Sequence, residues 1–357
     1  MALRLGIAFQ ATVFANANAA SQLTAKKFDG ELVRFASLPE LIESTFHRFT
    51  CHTFVCATGI AVRCIAPHLA HKSSDPAVIV LDQQGQYVIS LLSGHLGRAN
   101  EHARRMAAIL DARPVITTAT DVEDLPAIDS LAQQNNLRIG NIKAVKSVSA
   151  ALLHGDPVYL HDPDDCLGLR NSPWKHLFQF SDITPQKKAL AQANAALPAQ
   201  LDEGPACIVV TPHAPPPSLM GERCLYLHPR VVCAGIGCKR GASAKNILAL
   251  LDKALVAASL HRSALLRLAS IDIKTDEPGL VQAAKLLDAP LLFFNRRELE
   301  AFPGPSFSPK AQEMFDVRGV CEPAALAAAA WQQGKARLVL PKMAENGVTV
   351  ALAVKEK

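Results

Sequence analysis

The stretch LLSGHLGRANEHARRMAAILDARPVITTATD, residues 91–121, decides the fold of this chain. A strand exit leads into a histidine bounded by glycines, then into a helix, and then into a second strand whose end is rich in hydroxyl groups. The helix is indicated by apolar residues at three- and four-residue steps, which form one stripe: Leu96, Ala99, Ala103, Met106 and Leu110. In an open α/β sheet, ligands bind beside strand ends and helix starts. The stretch therefore predicts a binding site together with a fold.

Around this stretch, the first third of the chain alternates short apolar runs with helical patterns. Strands are predicted at residues 3–9, 31–35, 53–57, 77–82, 87–91 and 114–117, and helices at 39–46, 59–69, 96–110 and 126–134. A turn at 83–85 adds one hairpin. For the first strand, a faint signal-peptide pattern is the alternative, and Gln10 and Thr12 disfavour it by interrupting the apolar run. The alternation predicts a parallel or mixed sheet flanked by helices.

The middle third is less regular and predicts a small module. Short strands are expected at 157–160 and 207–210, a helix or linker at 186–198, and a loop at 211–217. The last third is regular again, with strands at 231–237, 268–274 and 290–295, a helix capped by Ser243, and helices at 280–287 and from Glu322 onward. A closing hairpin joins 337–340 to 348–354 through Asn346-Gly347.

The fold class predicted from these patterns is α/β. Mixed, mostly parallel sheets flanked by helices are expected in an N-terminal domain (1–130) and a C-terminal domain (229–357), with the smaller middle module (131–228) between them.

Composition narrows the possible functions. The 357 residues are 49% hydrophobic, which is enough for sizeable cores, and no apolar run reaches the ~18 residues of a membrane span. A net charge of +5 without basic blocks gives no support for nucleic-acid binding. Nine cysteines without a CxxC pair favour free thiols in a reducing compartment over disulfides or zinc, and so a cytoplasmic location. No membrane partner and no protein-bound metal are expected.

The glycine-bounded histidine is the first candidate for chemistry. Gly94 and Gly97 let the backbone approach a ligand closely, and the following helix offers N–H groups to an anion. His95 has a pKa suited to acid/base work near neutrality. Ser93 lacks the preceding glycine of a G-x-S-x-G nucleophile. It is placed among the substrate-binding residues. The alternative is a turn histidine that caps the helix.

A polar segment after the next strand is the second candidate. Hydroxyl and carboxylate groups at a strand end suit recognition of a polar ligand, and Asn100 lies at the start of the preceding helix. The segment could equally cap the next helix. Its residues are Thr117, Thr118, Thr120 and Asp121.

A glycine-rich turn in the last third is the third candidate. GIGCKRG, residues 235–241, is one residue too long for a dinucleotide fingerprint and lacks the Walker lysine. Lys239 and Arg240, with the backbone at Gly237, suit a clamp on carboxylates, although a tight turn with solvated charges is a serious alternative. Further charged residues recur at strand or helix ends and are candidates for the same cleft, although each could be solvated or capping: Arg63, Lys274, Asp276, Glu277, Glu322 and Lys342.

At these residues the chain resembles the cobalt-precorrin-5A hydrolase (CbiG) family. Arg98 departs from the family pattern, where a second glycine is frequent, and the first 45 residues and the middle third match only loosely. The matching stretches follow the family order: ATGIAVRCIAPHLAHKSSDPAVIVLD (57–82), LLSGHLGRANEHARRMAAIL (91–110), PVITTATD (114–121), GIGCKRGAS (235–243), IDIKTDEPGL (271–280), VCEPAALAAA (320–329) and PKMAENGVTVALA (341–353).

The resemblance implies an enzyme of anaerobic cobalamin biosynthesis. It implies that the δ-lactone of cobalt-precorrin-5A is opened and that acetaldehyde is released to give cobalt-precorrin-5B. The cobalt arrives inside the corrinoid substrate, so no cofactor is expected, and neighbouring pathway enzymes are possible partners. His95, Asp121 or Glu277 would be the general base, and Lys239, Arg240, Lys274 and Lys342 would bind peripheral carboxylates, with the N-terminal and C-terminal thirds as opposite walls of the cleft.

Two other functions remain open from the sequence. The chain could carry tetrapyrrole intermediates between enzymes without catalysing a reaction, because a related stand-alone domain of the aerobic pathway resembles the last third. More weakly, it could bind a nucleotide through the turn at 235–241.

Overall fold

A computed structural model describes residues 1–24, 30–71, 74–181, 204–215, 221–331 and 334–356. The predicted helix or linker at 186–198 and the end of the predicted loop at 211–217 lie outside these residues. The chain divides into two compact units, Met1–Leu131 and Ala132–Lys357. Across the described residues, no helix has both the length and the apolar character needed to cross a membrane.

The first unit is built on a four-stranded sheet. The strands β3 (Cys51–Val55), β4 (Ala77–Leu81), β5 (Tyr87–Leu92) and β6 (Arg113–Val115) lie in that order. A separate two-stranded parallel sheet joins β1 (Val13–Asn16) to β2 (Leu32–Phe35). The helices of this unit are α1 (Ala2–Phe9), α2 (Ala17–Thr24), α3 (Leu38–Thr45), α4 (Thr58–Ile65), α5 (Ala99–Leu110), α6 (Ala119–Val122) and α7 (Ile128–Gln134).

The central strand β4 explains why helices cover both faces of this sheet. All five of its residues are buried, and successive side chains point to opposite faces. Ile79 and Leu81 pack with α5, whereas Val78 and Val80 pack with α3 and α4. The α/β class predicted for the N-terminal domain is confirmed.

Strand direction separates this sheet into two distinct edges. The pairs β3–β4 and β5–β6 are parallel, but β4 and β5 are antiparallel, with Val78 opposite Leu92. The turn after β5 and the segment after β6 therefore lie at one edge, beside the start of β4. Helix α4, which carries Arg63, begins at the opposite edge, where β3 and β4 end.

The prediction of a strand at residues 3–9 is wrong, because this segment is helix α1. Met1, Leu5 and Phe9 are spaced by four residues and pack together against the core that contains α5. That spacing is the period of a helix face, so the segment covers the sheet and does not join it.

The second unit begins with a five-stranded sheet that is more regular than the sequence suggested. Its order is β7 (Leu137–Ile139), β11 (Cys224–Pro229), β10 (Cys207–Val210), β8 (Val158–His161) and β9 (Phe178–Phe180), and only β7 runs antiparallel to its neighbour. Helix α8 (Lys143–His154) packs against it.

This sheet also corrects the expectation of free thiols for two of the nine cysteines, while the other seven are free. Cys207 and Cys224 are direct partners on two parallel strands, and their sulfur atoms form a disulfide. The pairing of β10 with β11, which no cysteine spacing reveals, brings the two side chains together.

A second five-stranded sheet forms the rest of this unit. Its order is β14 (Leu291–Phe294), β13 (Leu265–Ile271), β12 (Val232–Cys238), β16 (Val348–Glu356) and β15 (Lys335–Glu345). The first three strands are parallel, and the closing hairpin is antiparallel. Its helices are α9 (Ala244–Ala257), α10 (Pro278–Leu286), α11 (Arg296–Glu300), α12 (Pro309–Phe315) and α13 (Cys321–Ala329).

Several local predictions for this region are confirmed. The Ser243 hydroxyl accepts a hydrogen bond from the Asn246 N–H at the start of α9, and Asn346 and Gly347 both have positive φ in the hairpin turn. Strand β13 ends at Ile271, earlier than predicted, so Lys274 lies in the 3₁₀ turn that follows. Helix α13 is rich in alanine because it lies against β12, where a side chain at Gly235 would collide with the Cys321 carbonyl.

Candidate active site

The turn after β5 is shaped by hydrogen bonds within residues 93–100. The Ala99 N–H donates to the Ser93 carbonyl and the Asn100 N–H to the Gly94 carbonyl, so helix α5 starts at Ala99 and not at the predicted Leu96. The Ser93 hydroxyl donates to the Asp75 carbonyl at 3.0 Å. Ser93 and Arg98 both have positive φ, which is strained for residues with a side chain.

Both glycines of this turn are required by close contacts. A Cβ at Gly94 would lie 2.8 Å from the side-chain oxygen of Asn100, and one at Gly97 would lie 2.7 Å from the Ser93 carbonyl oxygen. The glycines therefore let the turn fold tightly against α5 and the start of β4.

Asn100 connects three elements around the turn. Its side chain is buried, and its amide oxygen accepts a hydrogen bond from the Ser90 hydroxyl on β5. Its amide nitrogen donates to the Thr118 hydroxyl at 3.0 Å and to the Asp121 carboxylate at 2.8 Å. Asn100, Thr118 and Asp121, all candidates from the sequence, are thus joined in one hydrogen-bonded network.

His95 lies between two carboxylates. Its Nε2 is 3.1 Å from Oδ2 of Asp121, and its Nδ1 is 3.5 Å from Oδ1 of Asp129 on α7. The buried Thr120 hydroxyl is 3.2 Å from the same Nε2. We call His95, Asp121 and Asp129 the histidine cluster. Thr117 lies on the exposed segment before α6.

Charges around the histidine cluster favour a protonated imidazole. The nearby Asp129 raises the pKa of His95 despite its partial burial, and Asp121 adds to this effect. Burial acts to raise the pKa of Asp121, but hydrogen bonds from Arg104 and His95 outweigh it and lower that pKa. Arg104 donates to the second oxygen of Asp121 at 2.6 Å.

The sequence reasoning missed Asp129 and Arg104 as members of this site. Arg104 and Asp129 fall within the helices predicted at 96–110 and 126–134, and neither is among the candidate residues. The sole available signal for Asp129 was an acidic residue eight positions after Asp121.

The histidine cluster can bind and polarise an oxygen-containing group. About a fifth of the His95 side chain is exposed (21%), so the imidazole is reachable. Within the described part of the chain, the N–H groups of residues 94–97 donate to no backbone carbonyl. Arg63 does not join this site, because it lies at the opposite edge of the sheet and donates to the Gly59 carbonyl of its own helix.

In the second unit, Glu277 and Lys274 are buried together. Glu277 is only 3% exposed; one carboxylate oxygen accepts the Gly241 N–H at 2.7 Å and the other lies 3.4 Å from the Lys274 ammonium. The carboxylate therefore fixes the glycine-rich turn in place. Lys239 and Arg240 on that turn are exposed, and Arg240 is 3.8 Å from Asp276.

Glu322 is held in a similar way at the start of α13. It is 1% exposed and accepts hydrogen bonds from the Ser306 N–H, the Ser306 hydroxyl and the Lys342 N–H. All of these donors are protein groups, so the carboxylate joins a loop and β15 to the helix. Gly237, at the end of β12, leaves room for the Thr349 hydroxyl that donates to its carbonyl.

Among the residues that the structure describes, no three His, Cys, Asp or Glu side chains are grouped so that they could hold a metal ion.

Three family models match successive parts of the chain. They are described as Cobalamin synthesis G N-terminal (residues 40–121), Cobalamin biosynthesis central region (126–229) and Cobalamin synthesis G C-terminus (232–353).

Individual proteins match over most of the length. A cobalt-precorrin-5A hydrolase of Salmonella typhimurium is 35% identical over 333 residues, covering 92% of this chain and 86% of that protein. A cobalt-precorrin-5A hydrolase of Priestia megaterium is 29% identical over 322 residues, covering 89% of this chain and 82% of that protein.

Among solved structures, that of CobE, a protein from the cobalamin (vitamin B12) biosynthetic pathway, is 38% identical, with a TM-score of 0.35, and covers 36% of this chain and 94% of that one.

The similarity to the Salmonella protein extends through the turn at His95 and the carboxylate-held turns of the second unit, and the three family models follow one another in order along the sequence. The chain belongs to the cobalt-precorrin-5A hydrolase (CbiG) family.

Proposed function

We propose that this chain hydrolyses the δ-lactone of cobalt-precorrin-5A and releases acetaldehyde, giving cobalt-precorrin-5B in anaerobic cobalamin biosynthesis. The observation that carries this proposal is the 35% identity to a cobalt-precorrin-5A hydrolase across 92% of the chain. The histidine cluster adds a site whose groups suit ester hydrolysis, because an imidazole beside a carboxylate can transfer protons near neutral pH.

The reaction requires two bonds to break. Water adds to the lactone carbonyl, the ring C–O bond breaks, and the products of this step are a carboxylate and an alcohol. The alcohol then loses its proton while the adjacent C–C bond breaks. Acetaldehyde leaves, and the electron pair of that bond passes to the macrocycle, which takes up a proton.

We assign the proton transfers to the first unit. Of the three predicted acid/base residues, His95 and Asp121 contact each other, whereas Glu277 is engaged with Gly241 and Lys274. The N–H groups of residues 94–97 would donate to the oxyanion that forms on the lactone carbonyl.

We assign recognition of the substrate's peripheral carboxylates to the exposed basic groups of the second unit. Lys239 and Arg240 lie on a turn that Glu277 holds in a fixed conformation, so their positions are defined while their charges face solvent. The cobalt belongs to the substrate, and no cofactor is proposed. We also propose a cytoplasmic location, which the seven free cysteines support and the one disulfide does not. Contact with the enzymes that supply and remove the corrinoid completes the proposal.

The test is an assay of the purified chain with cobalt-precorrin-5A under anaerobic conditions. Acetaldehyde is measured by its reduction with NADH and alcohol dehydrogenase, and several equivalents per protein are expected. The matched control is the variant His95→Ala, which should bind the corrinoid with little turnover. Corrinoid binding without acetaldehyde from the wild-type protein would overturn the proposal and favour a carrier, and saturable ATP or NAD binding without turnover would favour a nucleotide-binding protein.

A further inference from the structure

We propose that Asp129 is a positioning residue that, with Asp121, holds the His95 ring from both nitrogens and keeps it protonated, so that His95 acts as an acid. This assignment rests on the proposed hydrolysis for its catalytic consequence, but the state of the ring can be measured without substrate. Asp129 lies on α7, beyond the TTATD segment, and belongs to none of the sequence motifs of the first unit.

The geometry of the ring contacts supports a protonated imidazole that is paired with two carboxylates. A neutral imidazole has one N–H donor and one acceptor nitrogen, whereas the protonated ring has two donors. Carboxylates can only accept, and they lie 3.1 Å from Nε2 and 3.5 Å from Nδ1 of His95. The contact at Nε2 is a hydrogen bond, and the approach of Nδ1 to Asp129 is a longer ion-pair contact. The Thr120 hydroxyl near Nε2 can donate or accept, so it does not decide the state of the ring, whereas only the protonated ring presents an N–H to both carboxylates.

The charges of the surrounding elements point to Asp129 as the deciding partner. Asp121 already accepts from Arg104 on α5, and so its negative charge is largely balanced. Within the described residues, no lysine or arginine pairs with Asp129; its Oδ1 accepts the N–H of Ser130, a neutral donor. Protonating His95 brings the formal charge of these four side chains to zero, because Asp121 and Asp129 then balance Arg104 and His95.

The burial of Asp129 makes this charge balance important for the stability of the fold. The Asp129 side chain is only 11% exposed, and an unpaired carboxylate at such a site is costly. Asp129 is also the largest influence that raises the pKa of His95. The folded protein therefore gains from a proton on the ring.

A protonated ring suits one particular step of the reaction. When the lactone ring opens, the leaving oxygen must gain a proton, and an imidazolium can supply it. Once the proton has passed to the leaving oxygen, the ring is neutral and keeps one N–H for the two carboxylates beside it.

The experiment compares the full-length protein with the variants Asp129→Asn, Asp129→Glu and, as a control, Glu123→Gln. Glu123 is an exposed carboxylate of the same segment, and its replacement removes one negative charge without touching the ring. Two-dimensional NMR of the histidine nitrogens, with His95 assigned from His95→Gln, gives the titration midpoint of the ring. Anaerobic kinetics give the pH profile of kcat/KM.

We expect Asp129→Asn to move the midpoint of His95 to lower pH, Asp129→Glu to restore it in large part, and Glu123→Gln to leave it in place. The alkaline limb of the kcat/KM profile should move to lower pH with this midpoint, so that the rate of Asp129→Asn near about pH 8 falls tenfold or more.

An unchanged midpoint in a folded Asp129→Asn protein would overturn the positioning role, whether or not the protein is a hydrolase. A lowered midpoint with an unchanged rate profile would overturn the use of the proton in catalysis. If the wild-type protein released no acetaldehyde, the proposed function would fail, and the NMR result would still decide the state of the ring.

Discussion

The histidine cluster and the two buried glutamates of the second unit use carboxylates in opposite ways. Asp121 and Asp129 face the partly exposed ring of His95, a side chain that can still reach a ligand. Glu277 and Glu322 are almost fully buried, and their oxygens are occupied largely by backbone N–H groups that fix turns and loops.

The difference shows that a carboxylate at a strand or helix end is not, by that position, a catalytic group. What distinguishes the two sites is that the carboxylates of the histidine cluster face a partly exposed imidazole, whereas the two glutamates are closed off with protein donors: backbone N–H groups, the Ser306 hydroxyl and the buried Lys274 ammonium. Substitutions in the first unit should therefore change chemistry more than stability, and substitutions at the two glutamates should do the reverse.

The largest expected effect comes from removing the ring of the histidine cluster. His95→Ala should lower acetaldehyde release by at least about 100-fold, because it removes the group that transfers the proton. Corrinoid affinity, followed by the change in the visible spectrum on binding, should remain close to that of the wild-type protein. His154→Ala, at the exposed end of α8, is the control and should leave turnover intact. Near-normal turnover in His95→Ala would remove the basis for treating the two sites differently.

The next effect is a loss of stability at Glu322. Glu322→Ala leaves the Ser306 and Lys342 N–H groups without their acceptor, which should lower the free energy of unfolding by about 3 kcal/mol. Glu300→Ala, which removes an exposed carboxylate paired with Arg296, should cost less than about 1 kcal/mol. Thermal and urea unfolding measure both. A Glu322→Ala protein that is as stable as the wild type but inactive would place Glu322 in the reaction instead.

Gly279 and Gly94 allow a direct test of the same difference between a site that holds the fold together and a site that carries chemistry. In Gly279→Ala, the new Cβ would meet the Ala242 carbonyl of the backbone, whereas in Gly94→Ala it would meet the side-chain amide of Asn100. A side chain can move and a backbone carbonyl cannot, so Gly279→Ala should destabilise the protein more, by about 2 kcal/mol or above. Gly94→Ala should cost less stability but more activity, because it displaces the amide that binds Asp121. The reverse ranking of unfolding temperatures would contradict this.

The smallest effect concerns the dependence of stability on pH. Because the folded protein raises the pKa of His95 above its usual 6.5, the protonated ring stabilises the fold below that value, and this stabilisation is lost as pH rises through the raised pKa. The difference in unfolding temperature between the wild type and His95→Gln should therefore shrink as pH rises. His102 provides a control of opposite sign, since burial lowers its pKa, and its contribution should weaken as pH falls.

Local signals in the sequence predicted much of the fold. The Ser243 cap of α9 and the Asn346-Gly347 turn each depend on residues a few positions apart, and both were found. The stripe on α5 was found from Ala99 to Leu110, with Leu96 in the turn before the helix. Predictions that depended on distant strands fared less well. The disulfide arises from the pairing of β10 with β11, and Arg63 is separated from His95 because β5 runs antiparallel to β4.

The sequence made His95, Asn100, Thr118 and Asp121 candidates because they lie near strand ends and a helix start, and the structure brings these four residues together. Asp129 escaped notice because its role depends on the path of residues 122–127, which brings α7 back to the turn at Gly94. No periodicity or spacing describes such a return. A carboxylate beyond the end of a motif is found only when the folded chain shows its neighbours.

The place of Asp129 along the chain has a consequence for how this protein can be divided. The N-terminal family model ends at residue 121, and the central-region model begins at residue 126. Recombination or truncation at that natural junction would keep the histidine and its first carboxylate in one piece and leave the second carboxylate in the other. A chimaera that joins the N-terminal region to a foreign central region would inherit the acid without the residue that keeps it charged, unless the new partner also supplies a carboxylate at the start of its first helix.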